Sequence, residues 1–211
     1  MTIAESIQFL VAMAVLMNPL GSLSIFLDLT RHADLTEKRS IACQTGIAII
    51  TIMLMSIWMG RELLVIFGIT IPAFRFAGGF ILLLVGLSML QSRESPIRHT
   101  ADDAEGLKNG ESVAVVPLAV PIIVGPGVIS TLVLATGDQA SHMPKLWLSL
   151  LCVVLSIGMG ALLYYANTIT RLIGISIIKV ITRIMGMIIM SIAVGMLAGG
   201  LVGLLPILNA H

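Results

Sequence analysis

Asn18-Pro19-Leu20-Gly21 stands in the middle of an apolar run from Ile7 to Leu27, and Gly125-Pro126-Gly127 stands in another about one hundred residues later. Proline removes a backbone donor and clashes with the preceding turn, and glycine frees the dihedrals, so each cluster predicts a helix interrupted at membrane depth. At such a break the first amides of the following half-helix lack intrahelical partners and carry a partial positive charge. The last carbonyls of the preceding half carry a partial negative one.

A zwitterion suits that chemistry. Its carboxylate would lie on the amides near Ser22 to Ser24 or Val128 to Thr131, and its ammonium would face the carbonyls just before Asn18 or Gly125. The amide of Asn18 and the hydroxyls of Ser22, Ser24, Ser130 and Thr131 would add hydrogen bonds. The candidate substrate-binding set is therefore Asn18, Pro19, Gly21, Ser22, Ser24, Gly125, Pro126, Gly127, Ser130 and Thr131. The competing reading is that the prolines only kink helices that pack on one another. Gly125 and Gly127 offer bare backbone, which favours a small solute. Phe26 is the one aromatic residue near either break and the chain holds two Trp and two Tyr, so an aromatic cage for a quaternary cation has little support.

Two arginines lie deepest in the apolar sequence, Arg75 and Arg183. They would anchor a substrate carboxylate or join a gating ion pair; alternatively they snorkel to the interface and fix helix ends. Glu5, Asp28 and Glu62 fall near the ends of apolar runs, so no acid is placed at the midplane for proton coupling.

The elements that must position these residues follow from composition. Of 211 residues 57% are hydrophobic and 11% charged, against about 25% charged in an ordinary soluble domain, and mean hydropathy is +1.06. About 20 apolar residues cross the hydrocarbon core, and six such stretches predict an all-α membrane protein with six transmembrane helices. Helix 1 runs from Ile7 to Leu27, helix 2 from Ser40 to Met59 and helix 3 from Ala73 to Leu90. Helix 4 runs from Val113 to Ala135, with Pro117 and Pro121 ahead of its break, helix 5 from Leu146 to Ala166 and helix 6 from Ile184 to Leu205. The first six residues hold Glu5 and no Lys or Arg, so helix 1 is read as retained rather than as a cleaved signal.

A shift of 106 to 108 residues lays the second half on the first. Pro19 meets Pro126, Gly68-Ile69-Thr70-Ile71 meets Gly174-Ile175-Ser176-Ile177, and Arg75-Phe76-Ala77-Gly78 meets Arg183-Ile184-Met185-Gly186. Three spans per half is an odd number, so the halves are expected as inverted repeats with broken helices 1 and 4. The chain is read as one transmembrane domain: repeat 1 over about 1–91, a polar linker over about 92–112 and repeat 2 over about 113–211.

The connections 1-2, 3-4 and 5-6 hold nine of the twelve Lys and Arg, and the other two hold three, which predicts both termini outside the cytoplasm. Gly195, Gly199 and Gly203 line one face of helix 6, either as a seam for a homo-oligomer or as a contact with a helix of the same chain. Cys43 and Cys152 fall in apolar runs and read as buried free thiols, and the thirteen Met residues read as flexible core filler.

Several function classes are disfavoured. A net charge of +1 without a basic patch gives no nucleic-acid footprint. His32, His99, His142 and His211 all lie outside the spans, so neither a metal site nor an intramembrane hydrolase is assembled, and no cofactor is expected. No Gly-rich phosphate loop is present, which argues against a primary pump. A small-molecule substrate and the lipid bilayer are the expected partners.

Taken together, Asn18-Pro19-Leu20-Gly21, Phe74-Arg75-Phe76-Ala77-Gly78-Gly79, Val116-Pro117-Leu118-Ala119-Val120-Pro121 through Gly125-Pro126-Gly127, and Ile181-Thr182-Arg183-Ile184-Met185-Gly186 resemble the signatures of the MarC family of bacterial and archaeal inner-membrane proteins. The resemblance implies six spans and an inner-membrane location. It also brings in a branch of small neutral amino acid transporters, for which glycine and alanine are the implied substrates. Some relatives carry Asp where this chain has Asn18, so a protonatable group is absent here from the first break.

Overall fold

The computed structural model describes residues 3–91, 123–137, 144–173 and 175–205, and among them all regular structure is helical. Helices α1 (Ile3–Met17) and α2 (Pro19–Leu29) are the two halves of the first span, and α3 (Leu35–Ile66) and α4 (Ile71–Gln91) follow. After the second break come α5 (Pro126–Gly137), α6 (Lys145–Tyr164), the short amphipathic α7 (Ala166–Ile173) and α8 (Ile175–Leu204). Among the described residues, five helical stretches are long and apolar enough to cross a membrane, with α1 and α2 counted as one. The sixth expected span is described only from Ile123 onward, so Pro117, Pro121 and the polar linker lie outside the described residues.

Helix 2 was expected over Ser40 to Met59, but α3 runs for 32 residues. At its start Asp34 accepts a hydrogen bond from the Glu37 amide at 2.7 Å. This side-chain cap lets the charged turn through Arg39 become helical instead of remaining a connection. At its end Gly68 takes φ +67, the Ile69 amide donates to Leu64 O at 2.8 Å and the Gly68 amide to Val65 O at 3.1 Å. The left-handed glycine and the two back-bonds satisfy the last carbonyls and stop the helix. At about 1.5 Å per residue α3 is some 48 Å long, more than the hydrocarbon core, so its charged first turns stand outside it.

Helix 6 likewise starts earlier than Ile184, at Ile175. Arg183 is therefore more than two turns inside α8 and exposed, not at a helix start, and it does not match the half-buried Arg75. The basic connection expected from Arg171 to Arg183 is instead the end of α7 and the first turns of α8. Cys152 is buried as expected, but Cys43 is exposed on the outer face of α3.

The most extensive helix pairing is α4 with α8, followed by α3 with α6; α5 packs on α3 and α4, and α2 packs on α6 and α8. Glycines set the closeness of these contacts. A Cβ on Gly79 would lie 2.9 Å from the Leu197 amide, and one on Gly200 would lie 2.7 Å from the Phe76 amide. Without a hydrophobic drive between helices in lipid, such backbone approach supplies the packing energy. In α8, Gly199 faces the Arg75 guanidinium and Gly203 faces Pro72, both within the chain, whereas Gly195 meets nothing within 4 Å. Gly195→Ala and Gly158→Ala, at the two such open helical sites, are expected to leave the fold intact and raise stability by about 0.5 kcal/mol through helix propensity. Thermal unfolding in detergent checks this.

The inner core is built on Met13, Leu23, Phe26, Ile49, Met53, Ile57, Leu132, Leu148 and Leu163. Large apolar residues such as Ile47, Val65, Leu150, Val154 and Ile157 face outward, as a lipid-facing surface requires. At one end Trp58 Nε1 donates to Ser149 Oγ and Trp147 Nε1 to Ser6 Oγ, each at 3.2 Å. The same end carries the Lys145–Glu62 pair at 3.9 Å, which is exposed and adds little stability. At the other end Arg39 lies 4.9 Å over the Tyr164 ring. Aromatic and charged residues thus mark both interfaces.

Candidate functional site

At the first break Asn18 adopts φ 47 and ψ 65, the left-handed region, and is the one described non-glycine residue with positive φ. Asn tolerates this conformation because its short polar side chain bonds locally. Its Oδ1 accepts the Gly21 amide at 3.2 Å, so Asn18 caps α2 with Pro19 in the first helical position. The Asn18 amide donates to Val15 O at 3.0 Å, and the Ser22 amide donates to Asn18 O at 2.9 Å. Ser22 Oγ donates to Met17 O at 3.1 Å, serving a carbonyl that the break releases. A Cβ on Gly21 would collide with the Asn18 carboxamide, which is why glycine stands there.

Asn18 is 2% exposed and Ser22 fully covered, so both face the interior of the bundle. The remaining donor, Asn18 Nδ2, reaches only the Met89 sulfur on α4, at 3.8 Å. A thioether is a weak acceptor, so this donor is readily given to a stronger one. Ser24 is placed differently: its residue is exposed and its hydroxyl donates to Leu20 O at 3.2 Å. It lies apart from the other polar groups of the break.

At the second break Pro126 opens α5 and is exposed, behind a half-buried Gly125 whose carbonyl accepts the Ile129 amide at 3.1 Å. Gly127 is buried, and a Cβ there would run into the Leu82 side chain. Its lack of a side chain therefore serves close packing of α5 on α4. Thr131 Oγ1 donates to Gly127 O at 2.8 Å. Ser130 is 1% exposed and its hydroxyl has no partner.

The two breaks touch the same helix. Asn18 meets Met89 and Gly127 faces Leu82, two turns apart on α4, or about 10 Å of helix rise. Both half-helix starts, with the partial positive charge of their first turns, thus lie against α4.

A further feature was not read from the sequence. A cavity of about 410 Å³, open to the outer surface at the exposed Val11 and Val154, lies between α1 and α6, is lined also by Leu10, Ala14, Met17, Pro19, Gly158 and Met159, and reaches the first break from its side. Its sequence signal is the small residues Ala14 and Gly158, which thin the facing sides of the two helices.

Comparison with known proteins fits this architecture. The family described as MarC family integral membrane protein matches residues 3–205. The chain belongs to the MarC family. Among MarC-like relatives, the UPF0056 membrane protein MJ1677 of Methanocaldococcus jannaschii is 34% identical over 191 residues, covering 90% of this chain and 92% of that protein. The UPF0056 membrane protein YvbG of Bacillus subtilis is 30% identical over 207 residues, 97% of each chain. YhcE of Escherichia coli is 26% identical over 200 residues, covering 94% and 93%. No solved structure matches the chain. This MarC protein is thus an integral, multi-pass membrane protein whose relatives align along nearly their whole length.

Proposed function

We propose that this MarC protein is a secondary transporter of a small neutral solute, most simply a small neutral amino acid such as glycine or alanine, working by alternating access. It would sit in the bacterial inner membrane with both termini outside the cytoplasm and carry no catalytic centre. The observation that carries the reading is the buried, left-handed Asn18 at the head of a half-helix, with an amide donor spent only on a sulfur. Transporters of this kind place substrates at half-helix starts near the midplane.

Two further facts support it. The packing pattern is the one that inverted repeats would produce: expected helix 3 lies on expected helix 6, and helix 2 on helix 5. The half-helix α5 packs on α3 and α4 just as α2 packs on their counterparts α6 and α8. In addition, the cavity beside Pro19 gives the first break a loosely packed flank, which a rocking half needs.

Uptake of a panel of labelled small amino acids into proteoliposomes, with and without imposed ion gradients, tests the reading. Accumulation of glycine or alanine above empty liposomes is expected; a panel on which nothing accumulates removes the amino-acid assignment. A packing-only role for the breaks has support from the second one, where Gly127 accommodates Leu82. Alanine at Gly127 therefore disturbs packing whatever the function, and Asn18 is the position that separates the two readings.

A further inference from the structure

We propose that the Arg75 guanidinium and the Ser130 hydroxyl form an oxyanion seat at the junction of α4, α5 and α8, and that it takes a carboxylate. The assignment rests on the transporter reading and deepens it, by naming the charged end of the solute held there.

Arg75 lies one turn inside the spanning helix α4, half-buried, and its Nε is buried without a partner. No ion pair among the described residues involves it. An unpaired guanidinium in a membrane span is costly, and an arriving anion completes the charge. Ser130 Oγ is also buried without a partner, although Thr131 beside it donates to a carbonyl of its own helix, as do the buried Thr45, Ser56 and Ser156. Both groups thus have unspent hydrogen-bonding capacity where water is scarce.

They also share a place. A Cβ on Gly78 would collide with Ser130 Oγ and lie 3.5 Å from the Met196 methyl, and one on Gly199 would lie 2.8 Å from Arg75 Cζ. Arg75 and Gly78 are one turn apart on α4, and Met196 and Gly199 one turn apart on α8. Ser130 Oγ and the Arg75 guanidinium therefore occupy the spaces that these two glycines leave, one turn apart along the seam of α4 and α8. Ser130 belongs to the second turn of the twelve-residue α5, whose first amides lack intrahelical partners and favour negative charge.

One guanidinium and one hydroxyl balance a monoanion, and the planar fork of arginine matches a carboxylate in two parallel bonds. A lipid phosphodiester shares the oxyanion chemistry, but Ser130 is covered within the helix junction, where a small ligand reaches more easily than a headgroup. Arg183, the counterpart in the second half, is exposed and already engaged, so the seat is single.

Titration calorimetry on the purified full chain in detergent tests the proposal, with acetate, glycine and glycinamide as probes. Acetate and glycine are expected to bind and glycinamide not to bind. Arg75→Gln and Ser130→Ala should each weaken the two carboxylates about tenfold or more, as loss of a charged hydrogen bond does. Should Arg75→Gln fail to fold, Arg75→Lys and Ser130→Ala answer the same question. Carboxylate binding unchanged in the variants overturns the seat and leaves the transporter reading standing. Stabilisation of the wild type by phosphatidylglycerol, lost with Arg75 and unaccompanied by acetate binding, also overturns it and assigns the arginine to lipid. Arg75-dependent acetate binding without uptake of any amino acid supports the seat and sinks the amino-acid reading.

Discussion

Asn18→Ala is expected to lower stability by about 2 kcal/mol, from the lost helix cap and from holding alanine in a left-handed conformation. Asn18→Gly is expected to cost only a few tenths, because glycine adopts φ 47 without strain and is itself an acceptable cap. Both variants lose the amide donor that faces Met89. If the carboxamide contacts the solute, both lose uptake by about tenfold or more, the effect of removing a buried hydrogen-bonding group from a site that expects it. Thermal unfolding and initial uptake rates, measured on the same preparations, separate the two effects. Loss of uptake in the well-folded Asn18→Gly protein points to a binding role. Full uptake in Asn18→Gly would assign Asn18 to architecture alone.

Gly200→Val in α8 should be among the most damaging single changes in the chain. Its first carbon would stand 2.7 Å from the Phe76 amide and 2.9 Å from Phe76 Cα. These are backbone atoms, so relief requires α4 and α8 to move apart along the most extensive helix contact in the molecule. Overpacking of this kind costs about 3 kcal/mol. The expected result is little monodisperse protein after extraction, while Gly195→Ala, five residues away on an open face, gives wild-type yield. Normal yield and melting for Gly200→Val would mean that the two helices have slack that their spacing does not suggest.

The break at Asn18 was legible because Pro19 and Gly21 are backbone signals, and backbone rules act locally. Which groups the break would present was only partly legible. Ser22 and Ser24 are equivalent in sequence, yet the helical turn of α2 sends one inward and the other to the surface. Gly127 was read as bare backbone beside a solute, and its neighbour is Leu82, a contact that no local rule announces. The length of α3 was missed because the charged residues around Glu37 to Arg39 look like a connection until the Asp34 cap is taken into account. The depth of Arg183 changed for a similar reason, since α8 starts before the apolar run does. Helix partners, and with them the unspent Ser130 hydroxyl and the cavity by Pro19, depend on tertiary packing that a single sequence does not encode locally.

The most direct test of the central claim, that the paired half-helices serve alternating access, is counterflow. Liposomes carrying the wild-type protein are loaded with unlabelled alanine and placed in trace labelled glycine without an ion gradient. Exchange through one alternating site predicts a transient rise of internal label above its equilibrium level, absent in Asn18→Gly. Simple equilibration without overshoot, or no entry beyond empty liposomes, would contradict the account.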